Sequence, residues 1–280
     1  MCLLEARPIV QLMFALRFLA GGALCSHGNV GVGFCGGLAA WLSAAVCAYL
    51  WNGCSDLDGD RINGSTRPLA AGRLSVRTAL SVAGALAVTS VALTWWFVPA
   101  CTAHTVALLI LGYAYSFGRR ALKTTPLGVL VAALLIGLLS YDAGRVAAGG
   151  GCSAELLVFA VGATLWTVVG AVVKDLDQLP GDLASGRRPL ISRMPYSWVR
   201  NGVSVVALTV ALGVAGAVAA TGVPLLASAT ALLVGVAAFV VGMPPQLVST
   251  TSEARNRPYF AYMYTQYGVH IGALAERTLL

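Results

Sequence analysis

Residues 52–75 read NGCSDLDGDRINGSTRPLAAGRLS. The stretch follows a long apolar run ending at Trp51 and precedes another that begins near Val76. It gathers Asp56, Asp58 and Asp60, Asn52 and Asn63, and Arg61, Arg67 and Arg73, in a chain with only 10% charged residues. A second stretch of the same character, residues 174–195, reads KDLDQLPGDLASGRRPLISRMP. Each is acidic first and then turns through Arg-Pro or Arg-Arg-Pro. Asn52, Asp56 and Asp60 are spaced i, i+4, i+8, so a helix continuing past Trp51 would stack them on one face. Asp175 and Asp182, spaced i, i+7, would share a face in the same way.

The surroundings of these two stretches decide the fold class. The chain is 58% hydrophobic with a mean hydropathy of +0.80, far above the soluble range. Eight or nine apolar runs of about 17–23 residues are each long enough to cross a hydrocarbon core as a helix. Short alternating segments, which a transmembrane barrel would need, are missing from the pattern. The expectation is an all-α integral membrane protein, one domain over residues 1–280, with about nine transmembrane helices. The spans fall near 8–26, 30–51, 78–98, 102–115, 127–141, 156–173, 199–220, 225–241 and 259–275. Residues 1–7 read as a short tail with no cleavable signal, and residues 142–151 as a Gly-rich loop carrying Asp142 and Arg145.

The net charge of +7 raises the possibility of a nucleic-acid partner, but the basic residues keep to particular loops. Arg61, Arg67, Arg73 and Arg77 lie in loop 2–3, and Arg119, Arg120 and Lys123 in loop 4–5. Lys174, Arg187, Arg188, Arg193 and Arg200 lie in loop 6–7, and Arg255 and Arg257 in loop 8–9. These are fourteen of the eighteen Lys and Arg residues. The asymmetry predicts that the N-terminus and a cap formed by loops 2–3, 4–5, 6–7 and 8–9 are cytoplasmic. The partner is then a lipid bilayer of the cell membrane, and nucleic acid is excluded. Seven cysteines without CxxC spacing read as small buried hydrophobes.

Two carboxylate clusters facing each other across a pocket suit Mg²⁺, which is usually held by one or two carboxylates together with substrate phosphates. Arg67, Lys123, Lys174, Arg187 and Arg188 offer donors for the remaining phosphate oxygens. Such a head above a wholly apolar interior fits a molecule with a diphosphate group and a long hydrocarbon tail. Arg17 interrupts the first span, and an arginine at that depth marks a functional position. His270, also within a span, is a second candidate for substrate contact. Tyr141, Trp166 and the tyrosines of the last span (Tyr259, Tyr262, Tyr264 and Tyr267) offer π-faces to a carbocation. Asp142 falls at the wrong end of span five for a general base, and His104, in an outer hairpin, reads as structural.

The first loop resembles the NDxxDxxxD signature of the UbiA superfamily of intramembrane prenyltransferases, and INGSTRPLAAGRLS resembles its continuation. The second loop resembles the KDxxDxxGDxxxGRRTLP motif, and YAYSFGRRALK (residues 113–123) resembles the YSxPPxRxK loop. The resemblance implies Asn52, Asp56 and Asp60 at one Mg²⁺ site and Asp175 and Asp182 at another. It implies Arg67, Lys123, Lys174 and Arg187 as diphosphate ligands, Asn63 and Tyr115 at the pocket mouth, and Arg17 near the substrate. Asp56, Asp60, Asp175, Asp182, Lys123 and Arg67 would then carry the catalysis. The chain departs from the pattern at Gly53, which stands where the family has aspartate. Gln178 replaces the middle aspartate of the second motif, with Asp177 adjacent, and Phe117–Gly118 replaces Pro-Pro.

The reading that follows is a Mg²⁺-dependent prenyltransferase. It ionises a polyprenyl diphosphate to an allylic cation and passes the prenyl group to an aromatic or similar nucleophilic acceptor. The alternative is a terpene cyclase of the same superfamily, in which the substrate's own alkenes capture the cation. A transporter would place its carboxylates near mid-membrane rather than in loops. Chain length, acceptor and oligomeric state are not legible in the sequence.

Overall fold

A backbone amide without a partner costs several kcal/mol in hydrocarbon, so a chain this apolar resolves into helices. The computed structural model describes residues 1–247 and 251–279. Among them, helices account for 79% and no strand occurs. In chain order the helices are α1 (Cys2–Glu5), α2 (Pro8–Leu24), α3 (Val32–Ser55), α4 (Leu57–Ile62), α5 (Val76–Phe97) and α6 (Thr102–Ser116). They continue as α7 (Pro126–Ala147), α8 (Ala154–Val173), α9 (Leu179–Ala184), α10 (Tyr196–Thr221), α11 (Leu226–Gly242) and α12 (Ser252–Leu279). Five of these, α3, α5, α7, the α8 segment and α10, are long and apolar enough to cross a membrane. α2 and α11 are shorter apolar helices, α6 has fifteen residues, and α12 opens with a charged stretch.

α12 begins at Ser252, ahead of the span expected over 259–275, and three further boundaries differ from the sequence expectation. α7 runs on past Tyr141 to Ala147 because Asp142 pairs with Arg145 one turn later (2.7 Å) and with His104 of α6 (2.8 Å). Those pairings satisfy the charges inside the helix. α3 ends at Ser55 with Asp56 as its cap, and α4 restarts the chain at Leu57. Across this break the Asp56 amide still bonds the Asn52 carbonyl (2.9 Å), the Asp60 amide still bonds the Asp56 carbonyl (2.8 Å), and the Asn52 and Asp56 side chains meet at 2.8 Å. Residues 1–7 are not a loose tail: Glu5 and Ala6 are completely buried, with Ala6 against Val46, Cys47 and Leu50 of α3 and Ala83 of α5.

Between apolar helices in lipid there is little hydrophobic driving force, so close backbone approach through small residues does the work. α2 and α7 cross where a Cβ on Gly21 would strike the Tyr141 carbonyl and one on Gly144 would strike the Phe18 carbonyl. Gly235 makes the same room for Thr265 between α11 and α12, and Gly170 for the Tyr262 ring between α8 and α12.

The loops sort to two ends of the bundle. At one end Asn63 bonds to Gln178 and Gly181, Lys123 to Asp56, Arg187 to the Lys123 carbonyl, and Asp177 to Ser252 and Asn256 of α12. At the other, Ser26 bridges Gly151, Ser153 donates to the Leu24 carbonyl and Arg277 to the Ala23 carbonyl. Exposed Trp198 marks the first end, and exposed Trp95 and Trp96 the second, as interfacial belts do.

Candidate active site

The two acidic loops are clamped to each other. Asn63 Nδ2 donates to the Gln178 carbonyl (3.1 Å) and its Oδ1 accepts from the Gly181 amide (2.8 Å). Gly59 and Gly181 meet backbone to backbone, leaving a Cβ on Gly59 only 3.0 Å from the Gly181 oxygen. Asn63 is thus the clasp between α4 and α9 rather than a residue of the pocket mouth.

Every carboxylate that the motifs single out is paired with a cation. Lys123 Nζ donates to Asp56 Oδ1 and to Ser55 Oγ, both at 2.6 Å, while Asn52 Nδ2 holds Asp56 Oδ2 (2.8 Å). Arg67 Nη1 donates to Asp60 Oδ2 (2.7 Å). Arg187, itself buried, donates from Nη1 to Asp182 Oδ1 (2.7 Å) and places Nη2 3.7 Å from Asp175 Oδ1. Asp175 and Asp182 are therefore brought together through Arg187, the chain having bent between the 3-10 turn Lys174–Leu176 and α9. Lys174 Nζ turns inward to the Tyr115 hydroxyl (3.0 Å).

The electrostatics differ between the loops. Burial opposes ionisation of Asp56, but the Lys123 charge and hydrogen bond outweigh it and hold the carboxyl below the usual carboxylate range. Burial pushes Asp182 up to about 6 against the pull of Arg187.

These residues suit a hard divalent cation. Asn52 Oδ1, Asp175 Oδ1 and Asp182 Oδ2 are buried oxygens with no hydrogen-bond partner among the described residues, and oxygen donors of this kind are what Mg²⁺ takes. No three Asp, Glu, His or Cys side chains converge on one point among the described residues. A metal here would complete its shell with phosphate oxygens and water. Asp177 is not available for that shell. Its carboxylate accepts from Ser252, Arg255 and Asn256 at 2.8–3.0 Å and caps the start of α12.

Beneath the loops lies a cavity of about 210 Å³, walled by α2, α3, α6, α7, α8 and α12. Asn52, Tyr115 and Lys174 border it toward the loops. Met13, Phe14, Tyr49, Leu108, Val129, Ile136 and Met263 make its apolar wall, and Tyr259 and Tyr262 contribute their rings. Thr167 lies seven residues before Lys174 on α8, about 10 Å deeper by helix rise. There Arg17 lines the cavity and donates to Thr167 Oγ1 (2.8 Å) and Gln266 Oε1 (3.1 Å). Gln266 Nε2 bonds in turn to Thr167 and to the Tyr262 hydroxyl. Arg17 makes no ion pair among the described residues, and its buried Nε has no partner.

Three expected pocket residues stand behind this wall. The Tyr141 hydroxyl bonds His270 Nε2 (2.8 Å), and His270 Nδ1 bonds the Gln266 carbonyl (2.7 Å). Trp166 donates to the Tyr262 carbonyl (3.3 Å) and packs on Phe239. All three are core side chains that brace cavity residues. Gln266 carried the same signal as His270, a polar side chain inside an apolar run. Glu5 and Tyr49 carried none.

A multi-pass helical membrane protein with paired acid–base loops over an apolar cavity is the class that these features define. The model of the UbiA prenyltransferase family matches residues 14–266, and the chain belongs to that family. The protoheme IX farnesyltransferase of Azotobacter vinelandii is 31% identical over 171 residues, 58% of this chain and 54% of that protein. The chain thus spans about half the length of the farnesyltransferases it matches. The digeranylgeranylglyceryl phosphate synthase of Natronomonas pharaonis is 31% identical over 222 residues, covering 73% of this chain and 76% of that protein. In fold, the chain resembles a UbiA homologue from Archaeoglobus fulgidus bound to GPP and Mg²⁺. The TM-score is 0.73 at 15% identity, over 98% of this chain and 99% of that one.

Proposed function

We propose that the protein is a Mg²⁺-dependent intramembrane prenyltransferase. It would take a polyprenyl diphosphate with its head at the loops and its tail in the cavity. The prenyl group would pass to an aromatic or similarly nucleophilic acceptor, with release of pyrophosphate. The observation that carries this reading is the cavity beneath the carboxylate–cation loops: Asn52, Tyr115 and Lys174 at its loop end, an apolar wall, and Arg17, without a carboxylate partner among the described residues, deep inside. One relative is a protoheme IX farnesyltransferase, another a digeranylgeranylglyceryl phosphate synthase, and a structural neighbour is bound to GPP and Mg²⁺.

Lys123, Arg67, Lys174 and Arg187 would exchange part of their carboxylate contacts for phosphate oxygens, orienting the diphosphate and neutralising charge as the carbon–oxygen bond opens. Bound Mg²⁺ would supply Lewis-acid stabilisation of the departing pyrophosphate. Tyr49, Tyr259 and Tyr262 would face the allylic cation, and the apolar wall would exclude the water that would quench it. Arg17, with Thr167 and Gln266, would hold a polar or anionic group of the acceptor. A cyclase, which folds one hydrocarbon against a wholly apolar surface, has no use for a buried guanidinium there. We further propose that all nine long helices span the bilayer, with the motif-bearing end and N-terminus in the cytoplasm, as the placement of the basic residues supports.

The test is product formation from geranyl, farnesyl and geranylgeranyl diphosphate in detergent, with and without phenolic acceptors, read by mass spectrometry. Prenylated acceptor that requires Mg²⁺ and is lost in Arg17→Leu supports the reading. A cyclic hydrocarbon formed without any acceptor would establish the cyclase instead.

A further inference from the structure

We propose that Glu5 is a positioning residue of the diphosphate site. Its carboxylate fills the space that a side chain at residue 53 would take, and from there it holds Arg67 against Asp60. This inference rests on the reading of the two loops as a diphosphate site.

Gly53 follows Asn52 directly, at the one position of the first motif where this chain has lost a carboxylate. A Cβ at Gly53 would run into Glu5 Oε1 and would come within 2.8 Å of Arg67 Nη2. The missing side chain and the incoming carboxylate thus occupy one place. Glu5 comes from a different part of the chain and is fully buried. Its Oε1 lies 2.6 Å from Arg67 Nη2, its Oε2 accepts from the Leu69 amide (2.9 Å), and its backbone carbonyl accepts from Arg67 (3.0 Å). The opposite edge of the same guanidinium donates to Asp60. Arg67 is therefore gripped on its Nη2 edge by Glu5 and presents its Nη1 edge to Asp60.

The backbone is set to deliver this carboxylate. Arg7, between α1 and α2, adopts φ 56°, a left-handed conformation uncommon outside glycine. Gln11 ties the turn by donating to the Ala6 carbonyl (2.8 Å). The turn folds α1 back under α3 with Ala6 buried. Anchoring α1 would require only apolar side chains. A fully buried carboxylate is costly without a charged partner, and Arg67 is the partner it meets. Glu5 acts through Arg67, without a role at the reacting atoms.

Two readouts test this on the full-length protein in detergent: thermal midpoint, and calorimetric binding of inorganic pyrophosphate in the presence of Mg²⁺. Glu5→Gln keeps the shape and removes the charge. It is expected to weaken pyrophosphate binding by about tenfold or more, the usual effect of removing a group that orients a ligand-holding residue. Glu5→Ala should do the same, and adding Gly53→Asp to Glu5→Ala should restore both affinity and thermal midpoint toward wild type. Gly53→Asp alone should destabilise, because two carboxylates then compete for one place. Wild-type affinity in Glu5→Gln, or a double variant no better than Glu5→Ala, overturns the role of Glu5. A wild-type protein that binds no pyrophosphate overturns the reading of the loops and the positioning role with it, whatever the thermal midpoints show.

Discussion

Asp182 and Asp56 face opposite electrostatic pressures within one site. Burial raises Asp182 to about 6, whereas Lys123 keeps Asp56 below the usual range against its own burial. For a carboxyl raised on folding, the stabilising contribution is fully present below its unfolded value. It is lost as pH rises through about 6, because the ionised form is the disfavoured one. Mg²⁺ takes only that ionised form, so protons would compete with a Mg²⁺ held at Asp182 as proposed. Lowering pH from about 7.5 to about 5.5 should therefore raise the Mg²⁺ concentration needed for half-maximal pyrophosphate binding. In Asp182→Asn this dependence should flatten, with weaker binding throughout.

At this scale the sequence was informative about charged groups and poor about aromatic ones. Lys123, Arg67 and Arg187, expected as diphosphate ligands, stand here on the carboxylates of the same loops, because a sparse charge beside a bilayer has few places to go. Tyr141, Trp166 and His270 could be placed in depth along a helix, but the direction each faces depends on how that helix is rotated in the bundle. All three turned out to point into side-chain packing behind the cavity. Glu5 was invisible because its partner sits more than sixty residues away and nothing local marks it.

Among the elements, the contact of α4 with α9 is what makes one site from two loops. It depends on Gly59 and Gly181 lying backbone to backbone and on Asn63 spanning them. A side chain at residue 181 would meet Asn63 Nδ2 at about 2.5 Å, so the loops must part to admit it. Gly181→Val is expected to cost about 1–3 kcal/mol of stability, the usual range for overpacking. It should also weaken pyrophosphate binding more than Gly216→Val, a change on α10 with open space around it, away from the loops. Equal binding in the two variants would contradict the clasp. The i, i+4 spacing suggested that the first loop continues α3. The break at Asp56, whose carboxylate Lys123 holds from loop 4–5, was not legible in that spacing.

For the molecule as a whole, apolar run length and the order of the motifs were enough to expect a helical membrane bundle with its polar loops gathered at one end. The ends of α7 and α12 were misjudged because charge was read as loop, whereas Asp142–Arg145 and Asp177–Arg255 neutralise each other in place. Orientation is open to direct test. Cys152 is exposed at the end away from the motifs, and Arg188 is exposed on the motif loops. With the other six cysteines replaced, Cys152 should react with a membrane-impermeant maleimide in intact cells. With all seven replaced, a cysteine introduced by Arg188→Cys should react only after permeabilisation. The reverse pattern would invert the proposed topology.

The loops at 52–75 and 174–195 are proposed to make a single metal-dependent diphosphate site. The most direct measurement is calorimetric binding of a non-hydrolysable thio analogue of geranylgeranyl diphosphate to the detergent-solubilised protein, with Mg²⁺ and with EDTA. Binding should require Mg²⁺ and should fall by about 10–100-fold or more in Asp56→Ala and, separately, in Asp182→Ala. Tight binding that survives EDTA, or that depends on only one of the two loops, would contradict the account.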